Sequence, residues 1–441
     1  AYSGDEKVLK LKRHLVDSVI EAQETDGYIG MLAKENRMDV LWDVHEMVYL
    51  IYALCTDFET FQEERSLDAA RKAANYIIRH WSEIPDDWGN RTGVATNVAV
   101  TGLERAMLAL GRVSDDQKYV DFCRNQRGLA DWNLGIVMGR RPLIEGHMYA
   151  YLCRSLAQLD LYRMTPDEKR LHQSDRALDF LTHGNGMAIT GGGGQWEIWT
   201  DDQDGRGALA ETCASAYQVR WLDSLLRLRG ESRYGDLMER TIYNTLFAAQ
   251  SPDGRQIRYY TPMEGPRKYH PGDTYCCPCN YRRIVAELAQ MIYYRCEDGL
   301  AVNLYAKSEA KLDLPDGLQV AVRQETDYPN SGRVEIHVNP SKAATFSLRL
   351  RIPAWCESAQ VAVNDGQPEQ VRGRKFHALK RSWQPGDRIH LDMPMAWRLV
   401  RGRQRQAGRV AVMRGPLVFP AGGRAVTSRC VRRCRPGAAR R

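Results

Sequence analysis

The pattern of apolar and polar positions divides the chain into two parts. As far as about residue 298, apolar side chains recur at the helical period of about 3.6 residues, as at Val8, Leu11, Leu15 and Val19. About ten segments follow this pattern, and we predict each of them to be a helix. The segments are VLKLKRHLVDSVIEAQ, LWDVHEMVYLIYAL, SLDAARKAANYIIRHW, TNVAVTGLERAMLALGRV, QKYVDFCRNQ, HMYAYLCRSLAQLDLYRM, DEKRLHQSDRALDFL, LAETCASAYQVRWLDSLLRLRG, RYGDLMERTIYNTLFAAQ and NYRRIVAELAQMIYYRC.

Beyond this point the period changes to two. Runs such as LQVAVRQETDY, RVEIHVNP and TFSLRLRIP alternate apolar and polar residues between turns that contain PDG, NSG, NDG and PGD. Such alternation predicts an antiparallel β-sandwich of about seven strands. We place the boundary within 296–302, which gives a helical domain of residues 1–298, a sandwich domain of 299–420 and a tail of 421–441.

The predicted helices are joined alternately by short turns and by long loops rich in Gly, Trp, Asp and Tyr. Helical hairpins in succession are typical of an α/α toroid, a barrel whose long loops gather at one rim and form a pocket there. The predicted fold class is therefore mainly α, an (α/α)6-barrel followed by an antiparallel β-sandwich. Six hairpins need twelve helices, so the count predicts that the first one or two precede residue 1.

The charge of the chain is concentrated at its end. The net charge is +7, but twelve arginines lie from Arg401 onward without any Lys, Asp or Glu, which leaves 50 basic against 55 acidic residues elsewhere. The last stretch, GGRAVTSRCVRRCRPGAARR, has little apolar periodicity, and we predict a disordered, solvated tail. Without aromatic residues for base stacking, it does not favour nucleic-acid binding. No apolar run is long enough for a membrane helix, so we expect no membrane partner.

The cysteine count indicates the compartment. Eleven cysteines, an odd number, are mostly scattered singly through apolar segments, which is not the pattern of a disulfide framework. This favours a reducing environment, and the first residues lack the apolar core of a signal peptide. We therefore predict a cytoplasmic protein.

Three motifs carry candidate chemistry: AETC with Glu211 and Cys213, CCPC with Cys276, Cys277 and Cys279, and GGGGQWEIW with Glu197. Thiolates and a carboxylate suit tetrahedral Zn²⁺. Glu211 and Cys213 would converge best where a loop enters a helix, and a turn held by a proline could present both adjacent cysteines to one ion. A structural zinc is about as consistent with the spacing as a catalytic one, and the C-x-x-C pair also fits a redox site. No βαβ pattern supports the redox alternative, and no second C-x-x-C supports a zinc knuckle.

The segments ITGGGGQWEIWTDDQDGRGALAETCASAYQ, YGDLMERTIYNTLFAAQSPDGRQIRYYTPMEG and TYCCPCNYRR resemble glycoside hydrolase family 127, the β-L-arabinofuranosidases. The resemblance extends from about residue 10 to about residue 420, and it implies an (α/α)6 barrel followed by β-sandwiches. It also implies a zinc ion held by Glu211, Cys213, Cys276 and Cys277. Cys276 matches the family's nucleophile, and Glu197 matches its general acid/base, which would give hydrolysis with net retention.

The same resemblance suggests residues that bind the sugar. His147 and His45 fall at helix starts where the family places sugar-binding histidines, and Tyr260 resembles a family tyrosine near the sugar. Trp196 and Trp199 flank Glu197, where they would form an apolar platform, raise the pKa of the acid by desolvation, or pack in the core. For His45, sugar binding and ordinary core packing are equally consistent with the sequence.

The sequence departs from the family pattern in three places. The segment between Glu197 and Glu211 is a little shorter than in the family and carries TDDQDG, which would alter the sugar subsite. Cys279 stands where the family usually has proline, and we interpret it as an inert substitution. The family-like sequence stops after AVMRGPLVF, which a shifted reading frame or a truncation would explain.

The favoured function is a zinc-dependent retaining glycosidase that removes β-L-arabinofuranosyl or related pentofuranosyl groups from plant-derived glycans. Its partner is then a glycan, and a homodimer is left open. The alternatives are another α/α-toroid enzyme, a sugar epimerase or an unsaturated-uronide hydrolase, and a non-catalytic carbohydrate-binding protein with a structural zinc.

Overall fold

A computed structural model describes most of the chain, and the described residues fall into two compact units. The predicted tail, 421–441, lies outside the described residues. Within the described ranges, no helix combines the length and apolar composition needed to cross a membrane. The ranges are 4–39, 41–84, 100–133, 146–272, 275–314 and 317–419. The first unit is Ala1–Gly186 with Glu197–Asp201, and the second is Met187–Trp196 with Asp202–Arg441.

Helices make up the first unit, as predicted. Its core is formed by small and aliphatic side chains such as Met47, Ala70 and Met107, all of which are buried. The helices are α1 (Glu6–Glu21), α2 (Leu41–Phe61), α3 (Glu64–His80), α4 (Leu103–Ser114), α5 (Gln117–Asp121), which runs on into a π-helical turn (Phe122–Gln126), α6 (Met148–Met164) and α7 (His172–Thr182).

Helix α1 illustrates what periodicity does and does not predict. Asp5 caps the helix by accepting hydrogen bonds from the backbone N–H groups of Lys7 (2.8 Å) and Val8 (3.3 Å). The predicted helix is confirmed. Of its predicted apolar stripe, however, Val8, Leu11 and Leu15 are more than half exposed. The side chains that pack on the core are Val16, Val19 and Ile20.

A buried ion cluster joins three segments of the first unit. Glu104 of α4 accepts hydrogen bonds from Arg127 Nε (2.8 Å) and from Arg154 Nη1 of α6 (2.6 Å). Burial by itself raises the pKa of Glu104, but the two guanidinium charges outweigh it and the net shift is downward. Glu104 is therefore held as a carboxylate.

The second unit begins with helices and continues into sheets. The segment NYRRIVAELAQMIYYRC was predicted to be one helix, but it is helical only in its first part. A 3₁₀ turn (Leu288–Met291) ends it, and its last residues form a strand because Tyr293 and Tyr294 pair with Val302 and Ala301. The helices are α8 (Thr212–Arg229), α9 (Ser232–Thr241), continued by a π-helical turn (Ile242–Leu246) and a last turn (Phe247–Ala249), and α10 (Cys276–Glu287).

The strands form a sandwich. A four-stranded sheet, β1-β2-β6-β9, and a six-stranded sheet, β3-β4-β5-β10-β7-β8, share one core that includes Leu348 from the first and Ile336 from the second. Neighbouring strands are antiparallel except β2 and β6. The strands are β1 (Tyr293–Cys296), β2 (Gly299–Val302), β3 (Ser308–Asp313), β4 (Gln319–Thr326), β5 (Arg333–Pro340), β6 (Ala344–Ile352), β7 (Ser358–Val363), β8 (Glu369–Arg372), β9 (Lys375–Trp383), β10 (Asp387–Asp392), β11 (Trp397–Arg401), β12 (Val410–Arg414) and β13 (Leu417–Phe419).

The prediction of about seven strands was too low, since the described residues contain the thirteen given above. One of the alternating runs behind that prediction is KFHALKRSWQPGDRIHLDMP, in which the turn PGD separates β9 from β10. Strands β8 and β11 lie outside the alternating runs, because they are short and carry many charged residues. Strand β11 belongs to a third sheet with β12 and β13. The domain limits at 298 and 420 stay predictions.

A second buried ion cluster fastens α9 to strand β6. Arg351 is fully buried and donates to Asp236 Oδ1 (2.6 Å) and to Glu239 Oε1 (2.7 Å). Glu239 also accepts a hydrogen bond from the Tyr328 hydroxyl (2.6 Å) and one from Trp355 Nε1 (3.2 Å). The carboxylates of this cluster thus face a permanent positive charge.

Candidate active site

Two helix starts bring the predicted ligands together. Glu211 is the N-cap of α8, and Cys213 is the second residue of that helix. Cys276 and Cys277 are the first two residues of α10, so the expected turn is the first turn of a helix. Helix N-termini carry partial positive charge and favour thiolates in their first turn.

The separations of the donor atoms fit one metal ion. Cys213 Sγ lies 3.4 Å from Cys277 Sγ, and Glu211 Oε1 lies 3.9 Å from the sulfur atoms of both Cys276 and Cys277. All four donor atoms are within 4.8 Å of one another. A tetrahedral ion with metal–sulfur bonds of about 2.3 Å would hold its sulfur ligands about 3.8 Å apart. The group could therefore hold a metal ion with only small side-chain movements.

The electrostatics of this group point the same way. Burial, the thiols of Cys276 and Cys277 and the charge of Glu211 all raise the pKa of Cys213 well above its usual value. Burial is also the main cause of the raised pKa of Cys277. Three thiols and a carboxylate packed together are acids that disfavour one another's ionisation. A divalent cation reverses that balance, so the chemistry of the donor set fits a metal.

Cys279 does not join this group. It is the fourth residue of α10, one turn beyond Cys276, and its side chain is exposed. Cys279 is a free thiol. This arrangement is compatible with the interpretation of Cys279 as an inert substitution, which stays a prediction.

The glycine-rich loop before Glu197 is explained by close packing. A Cβ added to Gly191 would lie 2.7 Å from the backbone nitrogen of Thr241, and one added to Gly192 would lie 2.6 Å from Cβ of Ala210. Gly191 also has φ of +93°, and its carbonyl accepts a hydrogen bond from Gln218 Nε2 (2.6 Å). These glycines let the loop lie directly against α8 and α9.

Glu197 and His147 face each other within the first unit. His147 Nε2 is 3.4 Å from Glu197 Oε2, and the two backbones are joined by a hydrogen bond from Met148 N to the carbonyl of Glu197 (2.9 Å). His147 is the N-cap of α6, and its Nδ1 accepts a hydrogen bond from Ala150 N (3.2 Å). A neutral His147 therefore carries its proton on Nε2, directed at the carboxylate. Glu197 itself has φ of +68°, a strained value for a residue with a side chain.

Two tyrosines that the sequence analysis missed connect His45 to His147. The ring of His45 packs against Tyr49 (4.9 Å between centroids), and the Tyr49 hydroxyl is hydrogen bonded to that of Tyr149. Tyr149 in turn lies 5.9 Å from the His147 ring. Tyr49 could have been noticed because it follows His45 by one helical turn, but its contact with Tyr149 spans a hundred residues.

The remaining predicted residues have different environments. Trp196 is 71% exposed, whereas Trp199 is buried against Tyr151 and Phe180, so the core alternative applies to Trp199. Tyr260 forms an isolated antiparallel bridge with Glu211, next to the ligand group.

Three more aromatic residues near Tyr260 were missed. The ring of Tyr259 is 4.6 Å from that of Tyr260 and stacks on Tyr275, which caps α10 directly before Cys276. His270 packs on Tyr275 at 4.0 Å. The position of Tyr275 beside the cysteine pair was the available signal.

The chain is similar to known proteins over most of its length. The model of the β-L-arabinofuranosidase catalytic domain of glycoside hydrolase family 127 matches residues 1–290, and that of the family's middle domain matches 299–395. The chain is 26% identical to the non-reducing end β-L-arabinofuranosidase of Bifidobacterium longum subsp. longum, over 95% of this chain and 72% of that protein.

Solved structures resemble the fold over nearly the whole chain. A family 127 β-L-arabinofuranosidase from Geobacillus stearothermophilus T6 matches with a TM-score of 0.77 and 26% identity, over 94% of this chain and 73% of that one. A second family 127 β-arabinofuranosidase matches with a TM-score of 0.78 and 24% identity, over 95% and 72%. The predicted fold class, an (α/α)6-barrel followed by an antiparallel β-sandwich, is confirmed. The catalytic-domain family matches more than half of the chain, so the chain belongs to glycoside hydrolase family 127, the β-L-arabinofuranosidase family.

Proposed function

We propose that this enzyme is a zinc-dependent retaining glycosidase that removes β-L-arabinofuranosyl groups from the non-reducing ends of plant-derived glycans, with Cys276 as the nucleophile. The observation that carries the proposal is the group of Glu211, Cys213, Cys276 and Cys277 at two helix starts. The substrate follows from the family and from the activity named for its relatives.

Glu211, Cys213, Cys276 and Cys277 would hold the zinc ion. A bound zinc ion supplies the positive charge that keeps such thiols deprotonated at neutral pH. Cys213 and Cys277 are fully buried, whereas Cys276 is partly accessible. Among the three thiols, Cys276 is therefore the one that a substrate can reach.

In the first step the Cys276 sulfur forms a bond to the anomeric carbon while the bond to the aglycone oxygen breaks. Glu197, as the carboxylic acid, gives its proton to the departing oxygen. The products of this step are the aglycone alcohol and a glycosyl thioether on Cys276.

In the second step Glu197, now a carboxylate, takes a proton from water as the water oxygen attacks the anomeric carbon. The carbon–sulfur bond breaks and Cys276 recovers its thiolate. Each step inverts the anomeric carbon, so the two steps together retain its configuration.

His147 would position and tune Glu197. Its Nε2–H points at the Glu197 carboxylate and would hold the side chain in one orientation between the two proton transfers. Tyr149 packs beside the His147 ring and is hydrogen bonded to Tyr49. His45, which packs on Tyr49, would bind the sugar together with these two tyrosines. Tyr260 and Trp196 are proposed as further sugar contacts.

The test is hydrolysis of a panel of nitrophenyl glycosides by protein supplied with zinc and a reductant, with the released anomer identified by NMR. We expect release of the β-L-arabinofuranoside with retention. Cys276→Ala should lower kcat by about a thousand-fold or more, whereas Cys279→Ala should retain activity. Activity that survives Cys276→Ala would favour an epimerase or uronide-hydrolase mechanism.

A second substrate isolates the role of Glu197. Glu197→Gln should lower kcat by about 10²-fold or more on a methyl glycoside, because methoxide must be protonated as it leaves. The loss in the first step should be smaller on a nitrophenyl glycoside, because nitrophenolate leaves without a proton. Equal losses of kcat/KM, which reports the first step, on both substrates would contradict the assignment of Glu197 as the acid.

A further inference from the structure

Helix α2 presents a stripe of aromatic side chains that the mechanism above uses only in part. Trp42, His45 and Tyr49 lie at positions i, i+3 and i+7, which share one helix face. The ring of Trp42 is 5.6 Å from that of His45 in an edge-on arrangement, and His45 is 4.9 Å from Tyr49. The three rings form a continuous row.

The inner end of the row reaches the proposed acid. Tyr49 is hydrogen bonded to Tyr149, Tyr149 packs beside His147, and His147 faces Glu197. The outer end is Trp42, which is 62% exposed. Seven residues of helix separate Trp42 from Tyr49, or about 10 Å along the axis. That length exceeds what a single sugar ring needs.

Trp42 is held in a defined position. The next residue, Asp43, is buried and accepts hydrogen bonds from the Tyr28 hydroxyl (2.7 Å) and from Met38 N (2.9 Å). These bonds hold the first turn of α2 in place, so the exposed indole is attached to a well-ordered part of the backbone. Glu46, one turn further along the same helix, is exposed and carries a carboxylate.

We propose that Trp42 is the platform for a sugar of the chain that carries the arabinofuranosyl group, so that the preferred substrate is an oligosaccharide rather than a simple glycoside. A sugar ring has an apolar face of C–H bonds that an exposed indole can cover, while its hydroxyls need polar partners such as Glu46. The inference rests on the proposed function, because it takes the bond to be cut to lie at the Glu197 end of the row.

The experiment compares two substrates in the full chain loaded with zinc. One is methyl β-L-arabinofuranoside, which offers no second sugar, and the other is an oligosaccharide with a terminal β-L-arabinofuranosyl group. Trp42→Ala should raise KM for the oligosaccharide about five- to ten-fold at nearly constant kcat. The loss in kcat/KM should be at least several-fold smaller for the methyl glycoside.

Trp397→Ala is the matched control, because Trp397 is equally exposed (61%) but lies on strand β11. It should change neither parameter. Equal losses on both substrates, or no loss on the oligosaccharide, would overturn the proposal.

Calorimetric binding of the oligosaccharide to the wild type and to Trp42→Ala separates this inference from the proposed function. If the wild type hydrolyses neither substrate, the proposed function fails, and weaker binding by Trp42→Ala would still support the platform. Unchanged binding in that case would overturn the platform as well.

Discussion

The second unit buries two groups of acidic side chains, and the side chains that surround the two groups differ. Asp236 and Glu239 meet the guanidinium of Arg351, and Glu239 accepts further hydrogen bonds from Tyr328 and Trp355. In the other group, Glu211 lies beside three thiols, and burial, the thiols of Cys276 and Cys277 and the charge of Glu211 together raise the pKa of Cys213. The chain itself supplies the first group with a permanent cation, whereas the second group could gain its positive charge from a metal ion.

On the proposed function, this difference separates a structural centre from a functional one. A buried carboxylate beside a permanent cation already has its counter-charge, so we expect it to need no bound ion. A buried cluster of acids stores unfavourable energy that a cation removes, and the same thiolates become available as nucleophiles. Single substitutions and chelation should therefore distinguish the two centres.

The largest effect is expected from Arg351→Met. This change leaves two buried carboxylates beside α9 without their cation, and we expect it to lower the free energy of unfolding by about 3–5 kcal/mol. Denaturant unfolding would measure the loss. The control is Arg349→Met on the same strand, where the pair with Asp298 is largely exposed and should contribute less than about 1 kcal/mol. Equal losses would contradict the structural role of Arg351.

The next largest effect is expected from metal removal. A chelator should lower the free energy of unfolding of the second unit by about 3 kcal/mol, the value for a ligand present at about a hundred times its Kd, and zinc should restore it. The loss should vanish in Cys277→Ala, which lacks a buried ligand. If the chelator destabilised this variant as much as the wild type, the metal would lie elsewhere.

The pH dependence of the free energy of unfolding tests a third centre, Glu104 in the first unit. Its pKa is lowered, as described above. A carboxyl group with a lowered pKa stabilises the fold above its unfolded pKa, about 4, and this stabilisation is lost as the pH falls through the folded pKa. The stability difference between wild type and Glu104→Gln should thus be constant above about pH 5 and narrow below pH 4. Acid titration of both proteins by circular dichroism would measure it, and a difference that widened toward low pH would have the wrong sign.

The smallest effect is expected from Cys279→Ala. The residue is exposed on α10 and lies outside the ligand group, so stability should change by no more than about 0.5 kcal/mol. Metal analysis should find the same zinc content as in the wild type, in contrast to Cys277→Ala. A loss of zinc from Cys279→Ala would make Cys279 an alternative ligand.

The sequence by itself determined the kinds of elements and the donor set. A change of period from 3.6 to 2 predicted helices before about residue 298 and strands after it, because each period places apolar side chains on one face of a helix or sheet. The residue types in AETC and CCPC offered a carboxylate and four thiols as candidate metal ligands, and the resemblance to the family singled out Glu211, Cys213, Cys276 and Cys277 among them.

Tertiary structure alone decided which predicted faces are buried and which distant residues meet. Val8, Leu11 and Leu15 form a regular stripe yet are exposed, and Trp199 is buried while Trp196 is not. Period and residue type describe a segment in isolation, whereas burial depends on the element that packs against it. For the same reason, only the fold could place the start of α8 beside that of α10, and Tyr49 against Tyr149.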